Sequence, residues 1–181
     1  MTSSVRPFAP VIETDRLVLR GARKDDLESC HAIWSDPEYV RPMGGLPTTR
    51  EESWTRLILC AGLWPLLGYG FWLIQERVSG RVIGDVGAML REREMTPPLG
   101  SDPEIGWGLA PSVQRRGLAL EAVSAALRWL DESAGLSRQV CVIDPENTRS
   151  ISLAAKVGFE EIGLAVSGGG SVLQFQRRRP Q

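Results

Sequence analysis

Hydrophobic and polar residues alternate over residues 16–20, a pattern that predicts a half-buried strand. Residues 24–34 instead place apolar side chains at helical spacing, with acidic residues in the first turn, and predict a helix. A stretch rich in proline and glycine then breaks the chain. A second helix is predicted over residues 49–63, with Thr48 or Thr49 as its N-terminal cap.

The rest of the chain reads as further strands followed by a strand-helix-strand-helix unit. Two β-rich runs are joined by a Ser79-Gly80 turn, and a polar loop precedes the next strand. The helix after that strand carries a single apolar stripe. The predicted strands are 70–76, 81–90, 103–111, 138–143, 160–166 and 171–177, and the predicted helices are 117–133 and 148–156.

These elements predict a single mixed α/β (α+β) domain over residues 1–181, because no internal repeat or second boundary is visible. Its centre is expected to be a twisted mixed sheet of about seven strands flanked by about four helices. A chain of 181 residues is long enough to bury its own core. Residues 1–10, which include two prolines, are expected to form a loose leader.

The overall charge gives no reason to expect a nucleic acid as partner. The formal net charge is −1, and 24% of the residues are charged. The three arginines at 177–179 are interpreted as a short solvated tail. The sequence shows no signal peptide and no apolar run of about 18 residues, so we expect a cytoplasmic protein without a membrane partner.

The three cysteines are Cys30, Cys60 and Cys141, which lie far apart along the chain. Their odd number and wide spacing form neither a metal-ligand pattern nor a disulfide framework, which suits a reducing compartment. His31 is the only histidine, so a metal triad built on several histidines is excluded. We expect no bound metal.

The junction between the strand at 103–111 and the following helix carries the clearest chemistry. Its residues are Gln114, Arg115, Arg116, Gly117, Leu118 and Ala119. Small residues at 117 and 119 let backbone amides approach a bulky anion, and the start of a helix adds the positive end of its dipole. These features indicate a phosphate cradle. The alternative interpretation is a basic strand-to-helix turn with a packing glycine.

The spacing of this junction excludes two common nucleotide-binding motifs. It is not G-x-G-x-x-G following an early strand, and it is not G-x-x-x-x-G-K-[ST]. A nicotinamide-dependent enzyme and a nucleoside-triphosphatase are therefore both disfavoured.

The junction and its neighbours resemble the GNAT N-acetyltransferase superfamily, and in particular its RimJ/RimL-like branch. The stretch from Gln114 to Ala119 matches that family's pyrophosphate motif, Q/R-x-x-G-x-G/A. Four further segments match in order, over residues 11–178. They are residues 14–20 (first strand), residues 71–74 with 83–84 and residues 104–107 (central strands), and Asn147 to Phe159 (later helix).

The resemblance implies a binding site for acetyl-CoA as co-substrate. In the family, the strand before the junction splays from its neighbour and pairs with the pantetheine arm. The backbone amides of the junction hold the pyrophosphate, and the later helix reaches the thioester end. Asn147 also precedes a helical run, so it can serve as a helix cap as well. The implied binding residues are Trp107, Gly108, Leu109, Gln114, Arg115, Arg116, Gly117, Leu118, Ala119, Leu120, Asn147 and Ser150.

The resemblance also implies candidate catalytic groups. An ammonium must lose a proton before it attacks, and Glu104 is the candidate base. The alternatives are that an ordered water chain takes the proton, and that Glu104 is simply an exposed glutamate at the end of a strand. The Leu109 amide is the candidate donor to the oxyanion. Many members protonate the departing thiolate with a tyrosine, but Ala154 stands at that position, so Ser150 becomes the candidate acid.

The acceptor is predicted to be a primary amine, either a protein N-terminus or a small molecule. The loop with Gly168-Gly169-Gly170 offers nothing to recognise, which leaves residues 40–64 to discriminate, and Glu51 and Glu52 there favour a cationic amine. The aromatic residues near this region either line a pocket or, as base rates favour, fill the core. A second copy of the chain, as a homodimer, is a further candidate partner.

Two functions stay open from the sequence. The first is an active N-acetyltransferase. The second is a non-catalytic acyl-CoA-binding or interaction protein, which the absence of the usual tyrosine keeps open.

Overall fold

The computed structural model describes residues 8–43 and 45–180, which form nine strands and five α-helices. The strands are β1 (Ile12–Glu13), β2 (Leu17–Arg20), β3 (Phe71–Glu76), β4 (Val82–Met89), β5 (Met95–Thr96), β6 (Glu104–Leu109), β7 (Arg138–Ile143), β8 (Glu160–Ser167) and β9 (Gly170–Arg178). The helices are α1 (Leu27–Trp34), α2 (Pro37–Val40), α3 (Arg50–Leu67), α4 (Leu118–Glu132) and α5 (Thr148–Lys156).

All strands belong to one sheet, in the order β1-β2-β3-β4-β6-β7-β9-β8-β5. Neighbouring strands are antiparallel except β6 and β7, which run parallel with α4 as the crossover between them. The predicted single α+β domain with a mixed sheet is therefore confirmed.

The predicted numbers of strands and helices were too low. The two missed strands, β1 and β5, are two residues long each, too short to show an alternating pattern. The missed helix is α2, which begins at Pro37 after the Asp36 cap. The predicted chain break at Pro37 is wrong, because proline also suits the first position of a helix, where no intrahelical N–H bond is needed.

Alternate residues of the central strands pack on opposite faces of the sheet. Trp72 and Ile74 of β3 belong to a core with α4, in which Trp64, Trp72 and Trp129 meet edge to face at 4.7–5.5 Å. Leu73 of the same strand packs on the other face with residues of α1, α2 and α3. The sheet is thus covered on both faces, and each face contributes to the candidate site.

The arginines near the end of the chain are not all solvated, which corrects the predicted tail. Arg177 is buried on β9, and its guanidinium binds both carboxylate oxygens of Asp131 at 2.7 and 2.8 Å. Asp131 lies on α4, 46 residues earlier in the chain, so local sequence could not indicate this pair. Arg178 and Arg179 are exposed as expected.

The predicted leader is only partly described. Residues 1–7 lie outside the described residues. The carbonyl of Pro10 accepts a hydrogen bond from the indole N–H of Trp72 at 2.8 Å, so this end of the leader is tied to β3. Within residues 8–43 and 45–180, no helix has the length and apolar character needed to cross a membrane.

Candidate active site

The parallel strands β6 and β7 separate almost as soon as they meet. They share a single residue pair, Glu104 with Val140, next to a hydrogen bond of 3.0 Å from the Val140 N–H to the Pro103 carbonyl. Beyond this point β7 continues beside β9, and β6 continues beside β4. A gap therefore opens between the two strands toward the C-terminal end of β6.

The backbone of β6 offers free hydrogen-bonding groups to this gap. In an antiparallel pair, successive residues point their N–H and C=O groups alternately toward and away from the partner. The Ala110 N–H donates to the Ile83 carbonyl at 2.8 Å, so Gly108, in step with it, faces β4. Trp107 and the Leu109 N–H consequently face the gap. An extended ligand with amide groups can pair there as another strand would.

The gap leads into a cleft of about 610 Å³ between β6, the start of α4 and α5. Three of its lining residues are basic and none is acidic, so the cleft favours a negatively charged ligand. These basic residues are Arg115, Arg149 and Lys156. The others are Tyr39, Pro42, Trp107, Gly108, Leu109, Val113, Gln114, Gly117, Leu118, Ala119, Leu120, Asn147, Thr148, Ser150, Ser152 and Leu153.

The start of α4 has the backbone conformation of an anion site. Arg115 and Gly117 have φ angles of 62° and 76°, in the left-handed region that a non-glycine residue rarely adopts. Gly117 is the N-cap of α4 and has no side chain to accept from the first amides of the helix. In the described part of the chain, no backbone or side-chain acceptor takes the amides of residues 115–120. These donors are available to an anion.

A clamp on the exposed side fixes this turn in place. Arg16 donates to the carbonyl of Arg116 at 2.8 Å and to the Glu121 carboxylate at 2.6 Å. The guanidinium of Arg116 turns away from the cleft and pairs with Glu76 at 2.8 Å. Arg115 is left as the arginine of this turn that faces the cleft.

Asn147 caps α5 and ties it to the opposite wall of the cleft. Its side-chain oxygen accepts from the Ser150 N–H at 3.1 Å, and its amide group donates to the Pro42 carbonyl at 2.9 Å. The structure thus shows the capping role considered for this residue. The Ser150 hydroxyl lines the cleft and makes no hydrogen bond to another described residue.

Glu104 lies at the vertex where β6 and β7 part, and it does not line the cleft itself. It is 9% exposed. One carboxylate oxygen, Oε1, accepts from Arg93 at 2.7 Å and lies 3.5 Å from Arg91, whereas Oε2 has no partner among the described residues. Burial raises the pKa of Glu104, and the nearby charges of Arg91 and Arg93 oppose that rise.

A buried polar cluster lies under the β6 strand near the mouth of the gap. Asp85 of β4 accepts from the Trp34 indole at 2.7 Å, the Tyr39 hydroxyl at 3.0 Å and Arg56 at 3.1 Å. The Tyr39 ring lies against Gly108, where an added Cβ would be 2.2 Å from its hydroxyl. Burial raises the pKa of Tyr39 well above its usual value, and Asp85 adds to the rise, so the hydroxyl stays protonated.

A model of the acetyltransferase (GNAT) domain family matches residues 16–160. This chain belongs to the GNAT acetyltransferase family. The resemblance that the sequence analysis drew from five separate segments is thereby confirmed, and the chain is an acetyltransferase.

Individual relatives agree with this assignment. YoaA of Bacillus subtilis, described as an N-acetyltransferase, is 29% identical over 158 residues, 86% of this chain and 85% of that protein. A solved GNAT-family acetyltransferase of Bordetella pertussis is 31% identical, with a TM-score of 0.83 over 93% of this chain and 99% of its own. The ribosomal L7/L12 acetyltransferase RimL, solved with coenzyme A, shares the fold at 18% identity, with a TM-score of 0.74 over 93% of this chain and 98% of its own.

In this GNAT chain the predicted binding residues converge on the cleft with one exception. Trp107 to Leu109, Gln114, Arg115, residues 117–120, Asn147 and Ser150 all line it. The side chain of Arg116 does not, because it pairs with Glu76. Of the candidate catalytic residues, Leu109 and Ser150 line the cleft and Glu104 lies beyond its closed end.

Eight of the residues that line the cleft of this GNAT domain are outside the predicted binding set, and three of these, Tyr39, Arg149 and Lys156, carry polar or charged side chains that matter most here. Arg149 and Lys156 lie on the predicted helix 148–156, and their i, i+7 spacing places both on one face of it. That spacing was a signal that the sequence carried. Tyr39 lies on the missed helix α2, and recognising Pro37 as a helix start would have placed it.

Most of the remaining candidates of this GNAT domain have structural roles. Trp64, Trp72 and Phe71 are buried in the core, as base rates favoured, and Trp54 is 37% exposed. His31 contacts the hydroxyl of Ser53 through Nδ1 at 3.0 Å. All three cysteines are free and buried, and burial raises the pKa of the Cys30 and Cys60 thiols to about 12. No cluster of possible metal ligands is found within the described residues.

Proposed function

We propose that this GNAT enzyme transfers an acetyl group from acetyl-CoA to a primary amine by direct attack of the amine on the thioester. The observation that carries the proposal is the meeting of two features in one cleft. The free edge of β6 suits an amide-containing arm, and the open amides at the start of α4 suit its phosphates. RimL, which shares the fold, was solved with coenzyme A, and this supports the same class of donor here.

Different residues of the cleft bind different parts of acetyl-CoA. The Trp107 backbone pairs with the pantetheine arm along the gap, and the Leu109 N–H faces the thioester carbonyl. Gly108 turns its own N–H and C=O toward β4, and its lack of a side chain leaves room for the Tyr39 ring against the strand. The amides of residues 115–120 bind the pyrophosphate, and Arg115 adds charge from the rim.

The acceptor nitrogen must lose two protons in this reaction, one before it attacks and one as the amide forms, and the departing sulfur must gain one. Glu104 Oε2 takes a proton from the acceptor ammonium, and the freed lone pair attacks the thioester carbonyl. The Leu109 N–H donates to the oxyanion of the tetrahedral intermediate, which collapses with loss of the thiolate. The Ser150 hydroxyl is the nearest candidate within the cleft to return a proton to sulfur.

The acceptor site lies at the vertex, on the Glu104 side of the gap. The acceptor is a primary amine, on a small molecule or at a protein N-terminus. No observation favours the alternative of a non-catalytic binding protein, which becomes an outcome of the following test.

A turnover screen tests the proposed function. Acetyl-CoA is incubated with a panel of amines and N-terminal peptides, and free thiol is measured, with mass spectrometry to identify the acetylated amine. We expect amine-dependent thiol release by at least one class of acceptor. Tight binding of coenzyme A by calorimetry without any acetyl transfer would favour the non-catalytic alternative, and absence of binding would contradict the cleft assignment.

A further inference from the structure

The carboxylate of Glu104 is surrounded by more positive than negative charge. Arg91 and Arg93, on the connection from β4 to β6, both approach the same oxygen, Oε1, at 3.5 and 2.7 Å. One carboxylate therefore faces two guanidinium groups. Arg56, whose charge also acts on Arg91, pairs with Asp85 at 3.1 Å and leaves the excess at Glu104 unchanged.

Two buried polar atoms at this place have no hydrogen-bond partner. Glu104 Oε2 is an acceptor without a donor, and the Arg93 Nε–H is a donor without an acceptor. They are the two unpaired buried side-chain atoms found in the described part of the chain. Buried polar groups are almost always paired, because an unpaired one loses its hydrogen bonds to water without replacement. Both atoms belong to the ion pair between Arg93 and Glu104, and they point to a ligand that supplies the missing groups.

The two unpaired atoms require opposite partners. Oε2 requires an N–H group, and the Arg93 Nε–H requires an oxygen, best of all an anionic one. A ligand that carries an amine and a carboxylate close together satisfies both. Its carboxylate would also offset the charge of Arg91, whose side chain is 47% exposed and borders the solvent.

We propose that the acceptor of this enzyme is an amine bearing a nearby carboxylate, as in an α-amino acid, with Arg93 and Arg91 as the specificity residues. The inference rests on the proposed acetyl transfer and names its acceptor class. The acceptor carboxylate binds Arg93 and Arg91, and its ammonium gives one proton to Glu104 Oε2. The nitrogen lone pair then forms the new C–N bond, the C–S bond breaks, and its electron pair leaves on sulfur. The nitrogen releases its second proton as the amide forms, which balances the proton that the thiolate takes up to become the free thiol.

The proposed acceptor carries a carboxylate as well as its ammonium, and so differs from the cationic amine expected from the sequence. That expectation rested on Glu51 and Glu52. The Glu52 carboxylate accepts from the Thr49 N–H at 2.7 Å in the capping box of α3, so it is committed to the helix start. Glu51 is exposed in the first turn of α3 and has no ion pair among the described residues.

Matched pairs of acceptors test the inference. Glycine, alanine and phenylalanine are compared with glycinamide, alaninamide and phenylalaninamide as acceptors of acetyl-CoA, with thiol release as the readout. The amides keep the amine and lose the charge, and their amines lose a proton more readily, so basicity cannot explain a preference for the acids. We expect kcat/KM to be at least about tenfold higher for the acids, since a site built to pair a group rejects the analogue that lacks it. A peptide pair that begins Ala-Glu or Ala-Gln distinguishes an acidic N-terminus from a free amino acid.

Variants of the two arginines complete the test. Arg93→Gln and Arg91→Gln should remove the preference for the acids, because the lost contact is to the carboxylate. Both arginines also contact Glu104, so the readout is the ratio of kcat/KM for each acid to that for its amide, which a general loss of activity does not change. Arg178→Gln, an exposed arginine at the end of β9, is the matched control and should keep the preference. Thermal unfolding checks that each variant is folded, and Arg91→Gln, at the more exposed position, serves if Arg93→Gln is not.

Each outcome supports or overturns the inference. Acids preferred over amides, or the Ala-Glu peptide over the Ala-Gln peptide, with loss of that preference in the arginine variants, supports it. Equal kcat/KM for acids and amides in both arms overturns the inference and leaves acetyl transfer standing. If no amine at all is acetylated, the proposed function fails together with it.

Discussion

The two ends of the gap beside β6 recognise their ligands by different means. The cleft end is open and uses backbone groups, namely the β6 edge and the amides at the start of α4. The vertex end is buried and uses side chains, with Glu104 between two arginines from an irregular connection. Backbone recognition depends on a local conformation that a short motif encodes, whereas the vertex depends on residues that only the fold brings together.

The largest expected effect is at the cleft end. Gly117→Glu adds a carboxylate next to the anion site and should lower the affinity for coenzyme A at least about 100-fold, because like charges repel and a side chain at the N-cap hinders the approach of phosphate to the amides. Isothermal titration with coenzyme A measures it. Gly117→Asn is the control, since asparagine tolerates the φ of 76° and adds no charge. Equal affinities of Gly117→Glu and the wild type would place the phosphate elsewhere.

A change at the vertex should leave donor binding untouched. Glu104→Gln is expected to lower kcat about 100-fold at neutral pH, the usual contribution of a general base, with an unchanged Kd for coenzyme A. Burial raises the pKa of Glu104 above its usual 4.5, so the wild-type rate should fall as the pH drops through that raised pKa. The variant should lack this dependence. A pH-rate profile with the same acid limb in both proteins would rule out Glu104 as the base.

Gly108 lies on β6 between the cleft end and the vertex end of the gap, and a side chain there should disturb the packing of this strand. Gly108→Ala should lower the free energy of unfolding by about 1–3 kcal/mol, since overpacking a well-filled site costs that much. The new Cβ would lie 2.2 Å from the Tyr39 hydroxyl and 2.7 Å from its ring carbon Cζ. Denaturant unfolding measures the effect.

Gly62→Ala is the matched control for Gly108→Ala. Gly62 lies within α3 and has open space around the position of an added Cβ. Alanine there should stabilise the protein by about 0.5–1 kcal/mol. If Gly108→Ala were equally harmless, the contact between Tyr39 and β6 would be wrong.

The smallest expected effect is a difference in coenzyme A affinity between variants of two neighbouring arginines, Arg115 and Arg116. Arg115→Gln should weaken coenzyme A binding about threefold to tenfold, and more at low salt, because this exposed charge borders the cleft. Arg116→Gln should change the affinity less, because its guanidinium pairs with Glu76 at 2.8 Å. Titrations at two salt concentrations compare them. A larger loss at Arg116 would contradict the side-chain placement.

The sequence predicted the backbone-based end better than the vertex, for a physical reason. β7 and α5 were predicted to the residue, because a β-branched run and a capping asparagine mark their bounds. The junction at 114–119 was visible because its glycine and its position before a helix are local features. It could be read without knowing any distant contact.

What the sequence could not show depends on distant partners or on very short elements. Arg91 and Arg93 occur in a polar stretch without periodicity, and nothing local indicates that both meet Glu104, 11 residues beyond Arg93. Arg177 looked solvated because Asp131 is remote in sequence. Tyr39 was missed with α2, a helix of four residues.

Amide hydrogen exchange with and without coenzyme A tests most directly whether the cleft beside β6 binds the donor. Coenzyme A should slow exchange in residues 105–120 and near Ser150, which contribute the strand edge, the amides of the α4 start and the facing helix. It should leave the Arg91–Arg93 connection unchanged, because that belongs to the acceptor. Protection confined to other parts of the protein, or none at saturating coenzyme A, would contradict the assignment.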